Sequence, residues 1–250
     1  VNDTFTTPED VAAGSSAVAL IDANFEPGGG VPSFTLPNAW QIIDLKTTAA
    51  GGTNTYPSDG DAANWKALGY DTASSTIPGW RAGTLPAQGG VVNAFPGGLA
   101  ATLTGIVPGG PNTVNTYLFR NVFTMTAAQA AHPSWTLNMV ADDGCIVYIN
   151  GVERFRMNYP AATAVNPDAM VGGTGGNEDA YTANQVNLTG AFVPGQNVIA
   201  IELHQNDSGS SDAGLDLQMT PADPNITGGF SGVDDPFFAT ALPNNSNQSH

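Results

Sequence analysis

Period-two alternation of apolar and polar residues, cut at intervals by Asp-Gly and Asn-Gly, most narrows what this chain can fold into. In Thr116–Met125, Tyr117, Phe119, Phe123 and Met125 fall on one side of an extended segment. Trp135, Leu137, Met139 and Ala141 alternate with Thr136 and Asn138, and Leu215, Leu217 and Met219 alternate with Asp216 and Gln218. Ile199, Ile201 and Leu203 repeat the pattern after Pro194-Gly195-Gln196-Asn197. Successive side chains leave a strand on opposite faces, so each run predicts a strand with one buried side. Asp143-Gly144 and Asn150-Gly151 suit backbone at positive φ, and both predict tight hairpins into Cys145–Ile149 and Val152–Met157. With Trp40–Leu45 and a weaker Leu99–Thr104, this gives about eight strands at sandwich spacing and no long amphipathic helix.

Two packed antiparallel sheets of jelly-roll type are the simplest all-β architecture for such a chain. The 30 Gly and 18 Pro are scattered as turn punctuation without a repeat, which fits many short strands. Residues 1–39 read as an extended N-terminal arm with one strand candidate at Ser16–Ile21. Residues 40–220 read as the sandwich and residues 221–250 as a second polar arm, with Phe237 and Phe238 as its apolar anchor. The polar stretch 46–98, carrying Trp65 and Trp80, is too long for a structureless loop, so it is expected to hold short helical turns and to carry function.

Charge removes several functions. Six Lys and Arg stand against 22 Asp and Glu, a formal charge of −16. Such a surface repels phosphate backbones and anionic headgroups, which argues against nucleic acid and favours cations. No run approaches the roughly 18 apolar residues of a membrane span, so membrane insertion is not expected. The single cysteine, Cys145, lies within the apolar run to Ile149 and reads as a small buried hydrophobe. The chain opens on Val1 with no leader pattern, which reads as a mature or excised segment.

Three ordered segments carry a resemblance. Asn115–Phe123, Asp142–Glu153 and Val193–Gln205, the last followed by Ser210-Ser211-Asp212 and Gly214–Leu217, resemble galactose-binding-domain-like jelly rolls of large bacterial secreted proteins. Trp40 and Gly79–Gly83 fit the opening of the same family. Separately, Asn2–Asp10 resembles the linker that opens tandem cadherin-like repeats in bacterial adhesins. The first resemblance implies a β-sandwich with a structural Ca²⁺ between its edges, and Asp216 matches the family's acidic ligand on the last strand. A fold of this kind hosts many ligands and does not by itself set function.

Candidate sites follow from chemistry. Ca²⁺ takes six to eight oxygens, and Asp142, Asp143, Glu202, Asp212 and Asp216 lie near strand ends or turns that could converge. In the plainer reading, Asp142 and Asp143 only organise a turn. Glycan binding needs aromatic faces beside polar groups. The loops offer Trp65, Trp80, Arg81, Tyr159 and Tyr181, with Asn206 and Asp207 nearby, whereas Trp135 belongs to the core by alternation. The plainer reading of Trp65 and Trp80 is that they cap the sandwich beneath the long loop. His204 shares a strand face with Glu202 and reads as a structural hydrogen-bonding residue. The sequence has no His-Glu-x-x-His and no Gly-x-Ser-x-Gly, and Gly172–Gly176 lacks the Lys of a phosphate loop. The expectation is a non-catalytic, extracellular or cell-surface module that binds polysaccharide or glycan and is stabilised by Ca²⁺. The alternative is a filament or surface-layer subunit joined to other copies of itself through its arms.

Overall fold

The computed structural model describes residues 31–61, 63–90, 95, 101–160, 165–171 and 180–223. The Ser16–Ile21 strand, the Asn2–Asp10 linker, the Gly172–Gly176 loop and the Phe237-Phe238 anchor lie outside them. The described residues form an all-β sandwich of two sheets. The strands are β1 (Trp40–Lys46), β2 (Arg81–Gly83), β3 (Ala87–Gly89), β4 (Ala101–Thr102), β5 (Val114–Met125), β6 (Ser134–Asp142), β7 (Gly144–Ile149), β8 (Val152–Met157), β9 (Thr182–Asn187), β10 (Gly195–His204) and β11 (Ala213–Pro221). A short helix, α1 (Ala127–Ala131), links β5 to β6 and is closed by a Thr126–Gln129 capping box.

One sheet has six strands in the order β2-β1-β5-β10-β7-β8, and the other has five in the order β4-β3-β11-β6-β9. All pairings are antiparallel except β3 with β4. The alternation read from the sequence sets what each sheet buries. Tyr117, Phe119, Phe123 and Met125 of β5, Trp135, Leu137 and Met139 of β6, Ile199, Ile201 and Leu203 of β10, and Leu215, Leu217 and Met219 of β11 meet in one core. Full burial of each such side chain stabilises the fold by roughly 1.5–3 kcal/mol.

Two hairpin expectations part company here. Asn150 and Gly151 take φ of 49° and 83° and join β7 to β8 as expected. Asp143-Gly144 makes no hairpin, because β6 and β7 belong to different sheets and the chain crosses the sandwich at Asp143. Gly144 is required there by crowding: a Cβ would come within 2.9 Å of Val171 Cγ1 and 3.0 Å of the Asn158 carbonyl oxygen. Among the described residues two peptide bonds are cis, Leu85–Pro86 and Asp142–Asp143.

The described residues of the stretch 46–98 hold two 3₁₀ turns, Thr48–Ala50 and Thr72–Ser74, and the short strands β2 and β3. Its first part covers the outer face of the six-stranded sheet, where Trp65 and Tyr70 pack on Ile43, Leu118, Ile146 and Tyr148. The described end of the N-terminal segment folds back on its own sandwich. Phe34 lies edge-on to Trp135 at 5.4 Å between centroids and 5.7 Å from Phe123. The Asn121 amide donates to the Pro37 carbonyl. Asn38 exchanges both of its amide groups with the backbone of Leu85 at 2.7 Å.

Candidate functional site

The sandwich has two outer faces with different fates. On the six-stranded sheet, the outward row of β10 carries Glu202 and His204, both fully buried. His204 Nε2 lies 3.1 Å from Glu202 Oε2, and the Tyr56 hydroxyl donates to the same oxygen at 2.5 Å. His204 Nδ1 is 2.9 Å from both Thr116 Oγ1 and the Ala169 carbonyl oxygen. Burial pushes the Glu202 carboxyl up, but bonding to His204, Tyr56 and Tyr148 outweighs it and holds the group below the usual carboxylate range. Burial first, then Glu202, pushes the Tyr56 and Tyr148 hydroxyls well above the usual phenol value. Arg120, also buried, donates to the carbonyls of Trp65, Ala67 and Leu68 and so fixes the covering loop. His204 is thus buried and hydrogen-bonded on both ring nitrogens.

Among the described residues, the five-stranded sheet keeps an open outer face. Its inward residues are Trp135, Leu137 and Met139 on β6 and Leu215, Leu217 and Met219 on β11, so Thr136, Asn138, Gln218 and Thr220 point outward. Register sets these in rows across three strands. Thr220, Thr136 and Gln185 form one row, and Gln218, Asn138 and Ala183 the next. Ala183, Gln185, Gln218 and Thr220 are exposed, and Thr136 and Asn138 are half-buried. Neighbouring strands lie roughly 4.8 Å apart, so the rows form a lattice of uncharged donors and acceptors.

One end of that lattice is closed by Tyr181, Asp216, Val140 and Phe95. Tyr181 is 38% exposed, and its hydroxyl donates to Asp216 Oδ2 at 2.5 Å. Burial and the Asp216 carboxylate push the Tyr181 hydroxyl above the usual phenol value. Phe95 packs on Val140, which pairs with Asp216 across the β6–β11 ladder. Beside Gln218 and Thr220 runs a groove of about 460 Å³ between β11 and the segment Phe34–Asn38. Phe34, Leu36 and Leu85 supply apolar wall, and Asp216, Gln218 and Thr220 supply polar wall. β11 pairs with β3 only over Ala213–Leu215, which leaves this edge open to the groove.

The aromatic residues expected to hold sugar are mostly elsewhere. Trp65 is fully buried, edge-on to Tyr148 at 6.0 Å, and cannot present a face to a ligand. Tyr159 is 5% exposed, with its ring 5.0 Å from that of His204. Trp65 takes the capping alternative and the Tyr159 assignment is corrected: the covering segments press both rings onto the outer face of the six-stranded sheet. Trp80 is half-buried, and its Nε1–H donates to the Tyr70 hydroxyl at 2.8 Å. Arg81 is engaged by Asp44 Oδ1 at 2.9 Å and by the Thr102 carbonyl at 2.8 Å. Asn206 and Asp207 lie in the loop between β10 and β11, where Asn206 N–H donates to Asp143 Oδ2 and Asp207 accepts from Gly209 N–H. Of the ligand set, Tyr181 alone borders the open face.

The proposed Ca²⁺ ligands do not converge as one set. Glu202 faces outward from the six-stranded sheet, and Asp216 faces outward from the five-stranded sheet, with both sheets between them. Asp142 continues the outward row of β6, while Asp143 turns into the end of the sandwich near Asp212 and Asp207. Among the described residues, no three His, Cys, Asp or Glu side chains form a ready metal cluster. The family-implied ion therefore does not fit the five residues together. Gln185, Asn138 and Gln218, central to the open face, were missed as site residues because polar outward positions look alike until one sheet is covered and the other is not.

No protein-family model matches the chain, and no curated protein matches it. Among solved structures it is similar to a glycosyl hydrolase family 2 member from Bacteroides cellulosilyticus DSM 14838, at 14% identity and a TM-score of 0.42, over 75% of this chain and 20% of that one. A Bacteroides uniformis β-glucuronidase aligns at 14% identity and a TM-score of 0.43, over 76% of this chain and 18% of its own. A β-glucuronidase from Ruminococcus gnavus in complex with D-glucaro 1,5-lactone gives 11%, a TM-score of 0.37, and coverage of 69% and 21%. The chain thus spans about a fifth of the length of those structures. Likeness at this level says nothing of activity or ligand.

Proposed function

We propose that this chain is a non-catalytic carbohydrate-binding module that holds neutral polysaccharide on the open face of the five-stranded sheet and in the groove beside β11. The observation that carries the reading is the pair of cross-strand rows, Thr220–Thr136–Gln185 and Gln218–Asn138–Ala183, with the exposed ring of Tyr181 at their end. Sugar hydroxyls need many uncharged donors and acceptors, and sugar C–H faces need an aromatic or aliphatic wall. The rows supply the first, and Tyr181, Phe34 and Leu36 supply the second. A charge of −16 opposes anionic glycans and narrows the class to neutral ones.

The absence of catalysis is part of the proposal. Its support is the burial of the Glu202–His204 pair, the one acid–imidazole ion pair among the described residues, under Tyr56 and the Ala169 carbonyl. A galactose-binding-like ancestry and an extracellular or cell-surface setting belong to the same reading. Affinity electrophoresis through gels containing neutral galactan, xylan or mannan tests it. Retardation of the wild type by at least one polymer, lost in Gln218→Ala/Asn138→Ala, is expected, and free migration through all of them rejects the proposal.

A further inference from the structure

At one end of the sandwich the inward positions change from apolar to polar. Along β10, Ile201 and Leu203 point into the core, and Gln205 continues that alternation. Along β5, Phe119 and Tyr117 point inward, and Asn115 follows. Gln205 N–H donates to the Asn115 carbonyl at 2.9 Å, which sets the two residues side by side. On the other flank, β10 pairs with β7 down to His204 and Gly144, so Asp143 comes next in the same row.

Asn115, Gln205 and Asp143 are 4%, 0% and 3% exposed. Gln205 Oε1 and Nε2, Asn115 Oδ1 and Asn206 Oδ1 are buried without a hydrogen-bond partner. Asp143 Oδ2 accepts from Asn206 N–H at 2.7 Å and from Ser210 Oγ at 3.2 Å. Asp212 and Asp207, both negative, act on Asp143. A buried carboxylate beside like charges is costly, and so is each buried amide left unanswered. Ordered water would answer the amides and leave the charge unbalanced. A cation answers the carboxylate and the amide oxygens together.

We propose that Asp143, with the amide oxygens of Asn115, Gln205 and Asn206, holds a hard divalent cation at this end of the sandwich, and that the ion is Ca²⁺. Carboxylate and amide oxygens are its preferred donors, whereas Mg²⁺ gives up its water reluctantly. Few of the ligands are charged, so affinity falls in the range of about 10⁻⁴–10⁻³ M found for extracellular modules. The site is separate from Asp216, the position that the family resemblance implied, which lies on the outer face of the five-stranded sheet. It is also independent of the glycan reading.

Thermal unfolding of the full chain after EDTA treatment, titrated with CaCl₂ or MgCl₂ alone, tests the proposal. The expected result is a saturating rise in Tm of several degrees with Ca²⁺ and little change with Mg²⁺. Gln205→Met, which keeps volume and removes the amide, loses the Ca²⁺-dependent rise, and Asp216→Asn retains it. Asn206→Ala, at a half-exposed position, serves as the ligand variant if Gln205→Met does not fold. No Ca²⁺-dependent shift in the wild type overturns the proposal. So does an undiminished shift in the ligand variant, or loss of the shift in Asp216→Asn.

Discussion

His204 Nε2 lies 3.1 Å from Glu202 Oε2, two residues along one outward row of β10, and neither side chain is exposed. The pair ties two covering segments to the six-stranded sheet, the loop through Tyr56 and the segment before Val171 through the Ala169 carbonyl, and bonds Thr116 of the neighbouring β5 within the sheet. This face is closed by polar anchoring as well as by apolar packing. The open face on the other sheet is left as the surface available to a ligand.

The Glu202 carboxyl is held below the usual value of 4.5. A group with a lowered folded value contributes stability that is present above its unfolded pKa and lost as pH falls through the folded one. Tm is therefore expected to fall with acid below about pH 4.5, where part of the fall belongs to Glu202. In Glu202→Gln, Tm at neutral pH is lower, by an amount equivalent to about 2 kcal/mol, and its acid dependence is shallower. Calorimetry across pH 3–7 checks this, and parallel acid curves for the two proteins count against it.

Of the four Trp, Trp40, Trp65 and Trp135 are at most 2% exposed, and Trp80 is half-buried. Acrylamide quenching is expected to act mainly on Trp80, and Trp80→Phe removes most of the accessible fraction. Trp65→Ala empties a packed site and costs roughly 3–5 kcal/mol. A Trp65→Phe variant that still folds retains glycan binding, since that ring touches no open surface.

Cys145 is fully buried, and burial pushes its thiol up to about 12. It is expected to stay unmodified by a thiol reagent at neutral pH in the folded protein and to react fully once urea unfolds the chain. Rapid labelling under native conditions would contradict the packing of β7 against the core.

Much of the fold was legible because burial on one side of a sheet writes itself into the sequence with period two. The inward residues of β5, β6, β10 and β11 were all readable in this way, and Asn150-Gly151 marked its hairpin. Asp143-Gly144 misled because an Asp-Gly pair fits a crossover between sheets as well as a turn within one. β9, Thr182–Asn187, escaped notice because an edge strand with Ala183, Gln185 and Asn187 exposed has little apolar signal. The site was read less well. Alternation says which residues leave the core but not whether a loop then covers them. Sequence alone therefore leaves Trp65 open between ligand contact and cap and offers Tyr159 as a ligand contact, whereas both pack against a covered face, and Asn138, Gln185 and Gln218 look like ordinary solvent-facing residues.

Tyr181→Phe tests the end of the open face. Losing the hydroxyl leaves Asp216, 8% exposed, without that donor, and the variant is expected to lose about 1 kcal/mol of stability. Glycan affinity falls severalfold while the ring remains, and Tyr181→Ala falls further. Equal affinity in all three proteins would place the ligand elsewhere.

The most direct test is calorimetric titration of the wild type and of Gln218→Ala/Asn138→Ala with whichever neutral polysaccharide retards the protein in gels. Saturable binding by the wild type, lost or at least tenfold weaker in the double variant at unchanged Tm, is the predicted result, equivalent to about 1.4 kcal/mol or more. Undiminished binding by the double variant would contradict the claim that this module reads carbohydrate on the open sheet.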